Sequence, residues 1–149
     1  MELKTNNKTI ELVFTTRKIV SISNILQGKN FEDLYFKALI ENDLDALSKI
    51  IYTFAEDQES GAKAFKSSEE VYDFLDDYKK EANKSYQDIF EEIAGVINEE
   101  GFFKKKMDKK ELKDKISNPL STMNMSETLK QSVEKAITKV ASEEVMKMA

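Results

Sequence analysis

Residues 30–54 read NFEDLYFKALIENDLDALSKIIYTF. Two short amphipathic helices are written in this stretch, with a break between them. Asn30 suits the position just before a helix, where its side chain can accept from a free backbone N–H. Glu32 and Asp33 then fall in the first turn, where negative charge meets the positive end of the helix dipole. Phe31, Leu34, Tyr35, Ala38 and Leu39 recur at helical spacing and form one apolar stripe. Asn42-Asp43 punctuates. Leu44, Leu47, Ile50, Ile51 and Phe54 then form a second stripe. Both have the period of a helix, and the rest of the chain is read outward from them.

Toward the N-terminus the period changes to two. Leu3 and Thr5, then Asn6-Asn7-Lys8, then Ile10, Leu12 and Phe14 predict a short β-hairpin. Asn tolerates positive φ, which suits Asn6-Asn7 to the turn. A lone hairpin is marginal in water, so its apolar face is expected to lie on helices. Thr15-Thr16 offers an N-cap for a helix carrying Ile19, Ile22, Ser23 and Leu26, with Gly28 as its stop.

Toward the C-terminus, residues 56–66 form a polar connection containing Gly61. Ser67 followed by Glu70 has the spacing of a capping box. A helix bearing Val71, Phe74, Leu75 and Tyr78 follows. After Asn83-Lys84-Ser85 comes another, with Tyr86, Ile89, Phe90, Ile93 and Ile97, which ends at Glu99-Glu100-Gly101. Phe102-Phe103 comes next.

Beyond residue 103 the character changes. Residues 1–103 carry 12 basic and 21 acidic side chains, whereas residues 104–149 carry 11 basic and 7 acidic ones. The change of sign places a boundary near residue 104. Residues 1–103 are read as a helical domain, residues 104–125 as a basic linker, and residues 126–149 as a C-terminal amphipathic helix. The linker opens with Lys104-Lys105-Lys106 and is broken by Ser117-Asn118-Pro119. In the last segment Leu129, Val133, Ala136, Ile137 and Val140 form a narrow, heptad-like stripe. Five of the six methionines lie beyond residue 103, and flexible Met side chains adapt to varied apolar partners.

Composition restricts the chemistry. The 149 residues include no Cys and no His, with four Gly and one Pro. Disulfides, thiol nucleophiles, imidazole bases and ordinary zinc sites are therefore excluded. A chain so poor in turn-formers is not an all-β sandwich or barrel. There is no GxSxG elbow, no GxGxxG and no Walker-type phosphate loop. Acidic clusters such as Asp73 with Asp76-Asp77 have helical spacing but are the ordinary pattern of a solvated face. No cofactor is expected. No apolar run approaches the ~18 residues of a membrane span, and an acidic body repels nucleic acid. The expected setting is the cytoplasm.

The candidate functional residues are apolar. Phe102 and Phe103 either close the core beneath the preceding helix or anchor a partner. Leu129, Val133, Ala136, Ile137 and Val140 have three possible destinations: their own domain, a neighbouring copy, or a helical partner.

The order of these elements resembles the tail assembly chaperones of siphoviruses infecting Gram-positive bacteria and of related prophages. The pieces that carry the resemblance are Asn6 to Thr16, Phe31 to Leu39, Asp43 to Tyr52, Ser68 to Asp76, and Glu99-Glu100-Gly101-Phe102-Phe103. The resemblance implies a chaperone that coats the tape measure protein in the bacterial host cytoplasm before tail tube subunits polymerise around it. It also implies a protein that leaves before the virion is complete. The expectation is a non-enzymatic, mainly α protein: a helical bundle with a small N-terminal β-hairpin and a long C-terminal helix. Its expected partners are the tape measure protein, tail tube subunits and other copies of itself, but neither nucleic acid nor membrane. Two alternatives remain open: an α-helical phage or prophage adaptor without chaperone activity, and a metal-dependent enzyme using carboxylates alone.

Overall fold

The computed structural model describes residues 1–117. Five helices and a short sheet form the body, and a sixth helix lies at the end of the described chain. In order they are β1 (Glu2–Lys4), β2 (Thr9–Leu12), α1 (Thr16–Ile25), α2 (Phe31–Glu41), α3 (Leu44–Phe54), β3 (Ala55–Asp57), α4 (Ser68–Ala82), α5 (Tyr86–Glu99) and α6 (Lys109–Ser117). The protein is mainly α, as its helical periods required. The long C-terminal helix expected over residues 126–149 lies outside the described residues.

The two helices of the opening stretch fold as read. Asn30 and Asp43 cap them, accepting from the N–H groups of Asp33 and Ala46. The core is built around α3, which packs against α1, α2, α4 and β2. Its Leu47, Ile50, Ile51 and Phe54 have no exposed surface. The hairpin pairs Leu3 with Ile10 and Lys4 with Thr9. It does not stand alone, because β3 adds to β2 and pairs Leu12 with Ala55 and Ile10 with Asp57. This third strand falls in the stretch expected to be a polar connection. Glu and Asp are poor strand formers, so its conformation is set by the pairing partner and not by propensity. Below the sheet the rings of Phe14 and Phe54 lie 4.6 Å apart.

The turns differ from the expectation in one respect. Neither Asn6 nor Asn7 has positive φ. The reversal is instead organised by Thr5, whose hydroxyl oxygen accepts from the N–H groups of Asn7 and Lys8. Elsewhere non-glycine residues take the left-handed conformation that ends a helix: Gln27, Asn42 and Asn83, with φ of 61°, 50° and 53°. In each case the N–H of the next residue reaches back to the helix, as Gly28 does to Ser23 and Asp43 to Ala38. Gly28, expected as the stop of α1, serves packing: a Cβ there would lie 2.6 Å from a Leu34 methyl.

The capping box expected at Ser67 and Glu70 does not form. Glu70 accepts instead from the N–H of Lys66, and the Ser67 side chain makes no cap bond. A reciprocal box is present at α5, between Ser85 and Asp88.

Local hydrogen bonds to charged oxygens give acid sensitivity a defined sign. Backbone N–H donors hold Asp57, Asp88 and Asp108 below the usual carboxylate pKa, and the Lys49 ammonium does the same for Asp45. Burial, reinforced by neighbouring Glu32, pushes Asp33 the other way. The four depressed groups contribute stability that is present above the ordinary value of about 3.9. That contribution is lost as pH falls through their folded values, while protonating Asp33 offsets part of the loss. The melting midpoint, followed by circular dichroism, is expected to hold from pH 7 to about 5 and to fall below about pH 4.

Candidate partner-binding surface

The described residues carry charge and apolar surface. Among them, no three Asp or Glu side chains converge as metal ligands would. The features with chemical character lie where the chain leaves α5 and where apolar side chains reach the surface.

At the end of α5, Gly101 has φ of 79°, a conformation open to Gly at little cost. The N–H of Phe102 turns back to the Ile97 carbonyl. This reversal drives Phe103 into the core, 5% exposed, with its ring 5.1 Å from Phe36 and 6.0 Å from Tyr35. The Tyr35 hydroxyl, held protonated by burial, donates to the Phe90 carbonyl. Of the two aromatics considered as partner anchors, Phe103 is therefore a core residue. Phe102 is half-buried and packs against the core.

The basic stretch, expected to be a linker, is attached to the body at two points. Buried Asn98 donates from its amide to the Met107 carbonyl and accepts from the Met107 N–H, both at 2.8 Å. The amide thus imitates one rung of a β-ladder and fixes the path after Phe103. Asp108 then caps α6 by accepting from the N–H of Glu111. One turn further on, Lys115 enters the body and pairs with Glu32 at 2.8 Å, the two side chains being 4% and 7% exposed. Its ammonium also lies 4.7 Å from the centroid of the Phe36 ring. Glu32 accepts in addition from the Lys104 N–H. A buried pair needs such extra partners, because the cost of removing both charges from water is large.

Sequence reasoning named neither pair of residues. Asn98 follows Ile97 in the same line as Ile89, Phe90, Ile93 and Ala94, so a polar residue in a core position was the available signal. Glu32 was read as a partner of the helix dipole, and a contact between the basic run and the acidic body was considered only in general, without a residue on either side. Nothing local distinguishes Lys115 from the other lysines around it.

Elsewhere Val20 and Ile25 on α1, Ile40 on α2, Leu44 on α3 and Tyr72 on α4 are 37–55% exposed. Between α5 and α6 an open groove of about 730 Å³ is lined by Gly95, Val96, Met107 and Leu112. Leu129, Val133, Ala136, Ile137 and Val140, the other expected contact residues, lie outside the described residues.

These features define a mainly α protein with a small antiparallel sheet and open surface grooves. The comparison with known families specifies it further. A family described as "Phage tail assembly chaperone protein, TAC" matches residues 2–111. The chain belongs to that family, so its role is in phage tail assembly and its partners are proteins of that assembly. The match runs past residue 103, where the resemblance read from the sequence ended, and into α6. No curated protein matches the chain, and no solved structure does. No described helix is long and apolar enough to cross a membrane.

The attachment of α6 can be tested directly. Lys115→Met keeps the stem over Phe36 but leaves Glu32 with a single donor. Stranding a buried charge costs ~3–5 kcal/mol when it stays buried. Here α6 can lift and let water reach Glu32, so the global loss is expected to be smaller than that. The amides of residues 109–117 should exchange hydrogen faster while those of α3 do not. Asn98→Ala removes both partners of Met107 and is expected to cost about 2 kcal/mol in urea denaturation.

Proposed function

We propose that the chain binds the tape measure protein during tail assembly, keeps its apolar helical surface from aggregating, and is displaced as tail tube subunits polymerise. The observation that carries this reading is the family match over residues 2–111. A tape measure is long, helical and rich in apolar surface, so what covers it must offer apolar contacts of its own. The exposed Val20, Ile25, Ile40, Leu44 and Tyr72 are of that kind. Phe102 and the stripe of Leu129, Val133, Ala136, Ile137 and Val140 supply the remaining contacts. Displacement requires each contact to be weak, and coating requires many of them, which points to several copies acting along one substrate. The excess of acidic groups in residues 1–103 keeps the coated complex dispersed. Such a protein works in the host cytoplasm and is absent from the finished virion.

Co-expression with the tape measure gene of the same phage or prophage, followed by pull-down on a tagged chain, tests the reading. Stoichiometric recovery of the tape measure protein, with several copies of the chain per substrate, is the expected result. Replacing Leu129→Asp together with Val133→Asp should weaken capture tenfold or more, since each buried aliphatic side chain contributes about 1.5 kcal/mol or more. The helical signal of the body should persist. Recovery of another tail component in place of the tape measure protein would favour the adaptor reading.

A further inference from the structure

The sheet has two edges of different kinds. Beyond β3 the chain doubles back and covers the outer edge. There the Asp57 N–H donates to the Ala62 carbonyl, the Ala64 N–H donates to the Ala55 carbonyl, and Glu56 is bridged to Lys63. Among the described residues, no backbone bond covers the outer edge of β1 in this way. Met1 and Thr5 bond to Leu12 and Lys8. Bonded pairs alternate in an antiparallel ladder, so Leu3 is the next residue to bond, with Ile10. The N–H and C=O groups of Glu2 and Lys4 therefore point away from β2. No hydrogen bond within the described residues engages those groups, and both residues are exposed. An edge of this kind is a template for another strand.

We propose that β1 pairs antiparallel with β1 of a second copy of this chain, about a two-fold axis at Leu3, so that the two sheets become one. Glu2 of each copy then stands opposite Lys4 of the other. Charge favours this occupant. Glu2 lies directly opposite Glu11 within its own sheet, and like charges so placed repel. Its carboxylate accepts from the Gln58 amide, but among the described residues neither Glu2 nor Lys4 forms an ion pair. A lysine on the other side of Glu2 relieves that repulsion. The register follows from the backbone. Outward-facing residues must meet, which permits Glu2 opposite Lys4, Glu2 opposite Glu2, or Lys4 opposite Lys4. Only the first engages every outward group of both strands, and only the first sets unlike charges together. The covered edge of β3 stops further growth, so the assembly closes at two copies. Three residues on each side cover far less than the ~1,200 Å² of a stable interface, so the dimer is weak and its members exchange. The pairing does not depend on what the protein binds during assembly.

The chain has no cysteine of its own, so engineered thiols can be read without background. Full-length chains carrying Glu2→Cys or Lys4→Cys, with tags of different mass, would be mixed and oxidised at low salt, where surface charges are least screened. In the proposed register these two positions have Cα atoms about 5.5 Å apart, within disulfide reach. Two Glu2→Cys chains, or two Lys4→Cys chains, meet only across a diagonal of about 7–8 Å. Mixed-mass dimers on non-reducing gels are expected to exceed either same-mass dimer by about fivefold or more. Adding Lys4→Glu to the Glu2→Cys chain places like charges at the remaining pair and should cut the mixed dimer about fivefold. Adding Glu2→Lys to the Lys4→Cys chain as well reverses that pair and should restore the crosslink. Same-mass dimers in excess, all three dimers in statistical proportion, or no crosslink with circular dichroism unchanged would overturn the proposal. A charge reversal that restores nothing would do the same. No tape measure protein is present, so these failures leave the proposed function untouched.

Discussion

Helix α3 must hide its apolar face, and the remaining elements are arranged to do so. Leu47, Ile50, Ile51 and Phe54 are without exposed surface, and burying each such side chain contributes about 1.5–3 kcal/mol relative to leaving it in water. Helices α1, α2 and α4 and strand β2 supply the cover. The strand is held in place by the residues immediately after α3, since β3 begins where that helix ends. The central helix and the sheet are thus one continuous piece of chain, and the hairpin is secured by its pairing to β3.

A chain with only four glycines must still reverse direction several times. It does so mainly with side chains that tolerate the left-handed region. Asn42 and Asn83 each end a helix there, and Gln27 does the same for α1. Asn at such a position is less strained than most residues, because a short polar side chain can bond locally. The saving in glycine has a thermodynamic benefit, since each non-glycine residue leaves the unfolded chain with fewer conformations to lose. Gly101 is kept for the turn that must deliver two aromatics in succession.

What could be read from the sequence followed from how local each signal was. The α2 and α3 stripes, the cap at Asn30 and the hairpin depend on residues a few positions apart, and all were legible. Strand β3 was not, because Ala55-Glu56-Asp57 becomes a strand only through β2, more than forty residues earlier. The Thr5 turn was misassigned because Asn6-Asn7 has the composition of a tighter reversal. The attachment of the basic stretch was illegible for the same physical reason as β3. A lysine that pairs across the fold has the same neighbours in sequence as one facing water, and charge counting over residues 104–149 averaged the two. Phe102 and Phe103 are identical in sequence terms, and only the backbone turn at Gly101 decides which of them goes inside.

The pairing of Glu32 with Lys115 joins positions more than eighty residues apart. As the polypeptide leaves the ribosome, α2 is complete long before its buried carboxylate has a counter-ion. Until residue 115 is free, Glu32 must stay hydrated, and Phe36 lacks the cover that the lysine stem provides. Water therefore has access to one corner of the nascent body for nearly the whole of its synthesis. Closure of that corner requires residue 115, and so it can come only after α2 to α5 have been made.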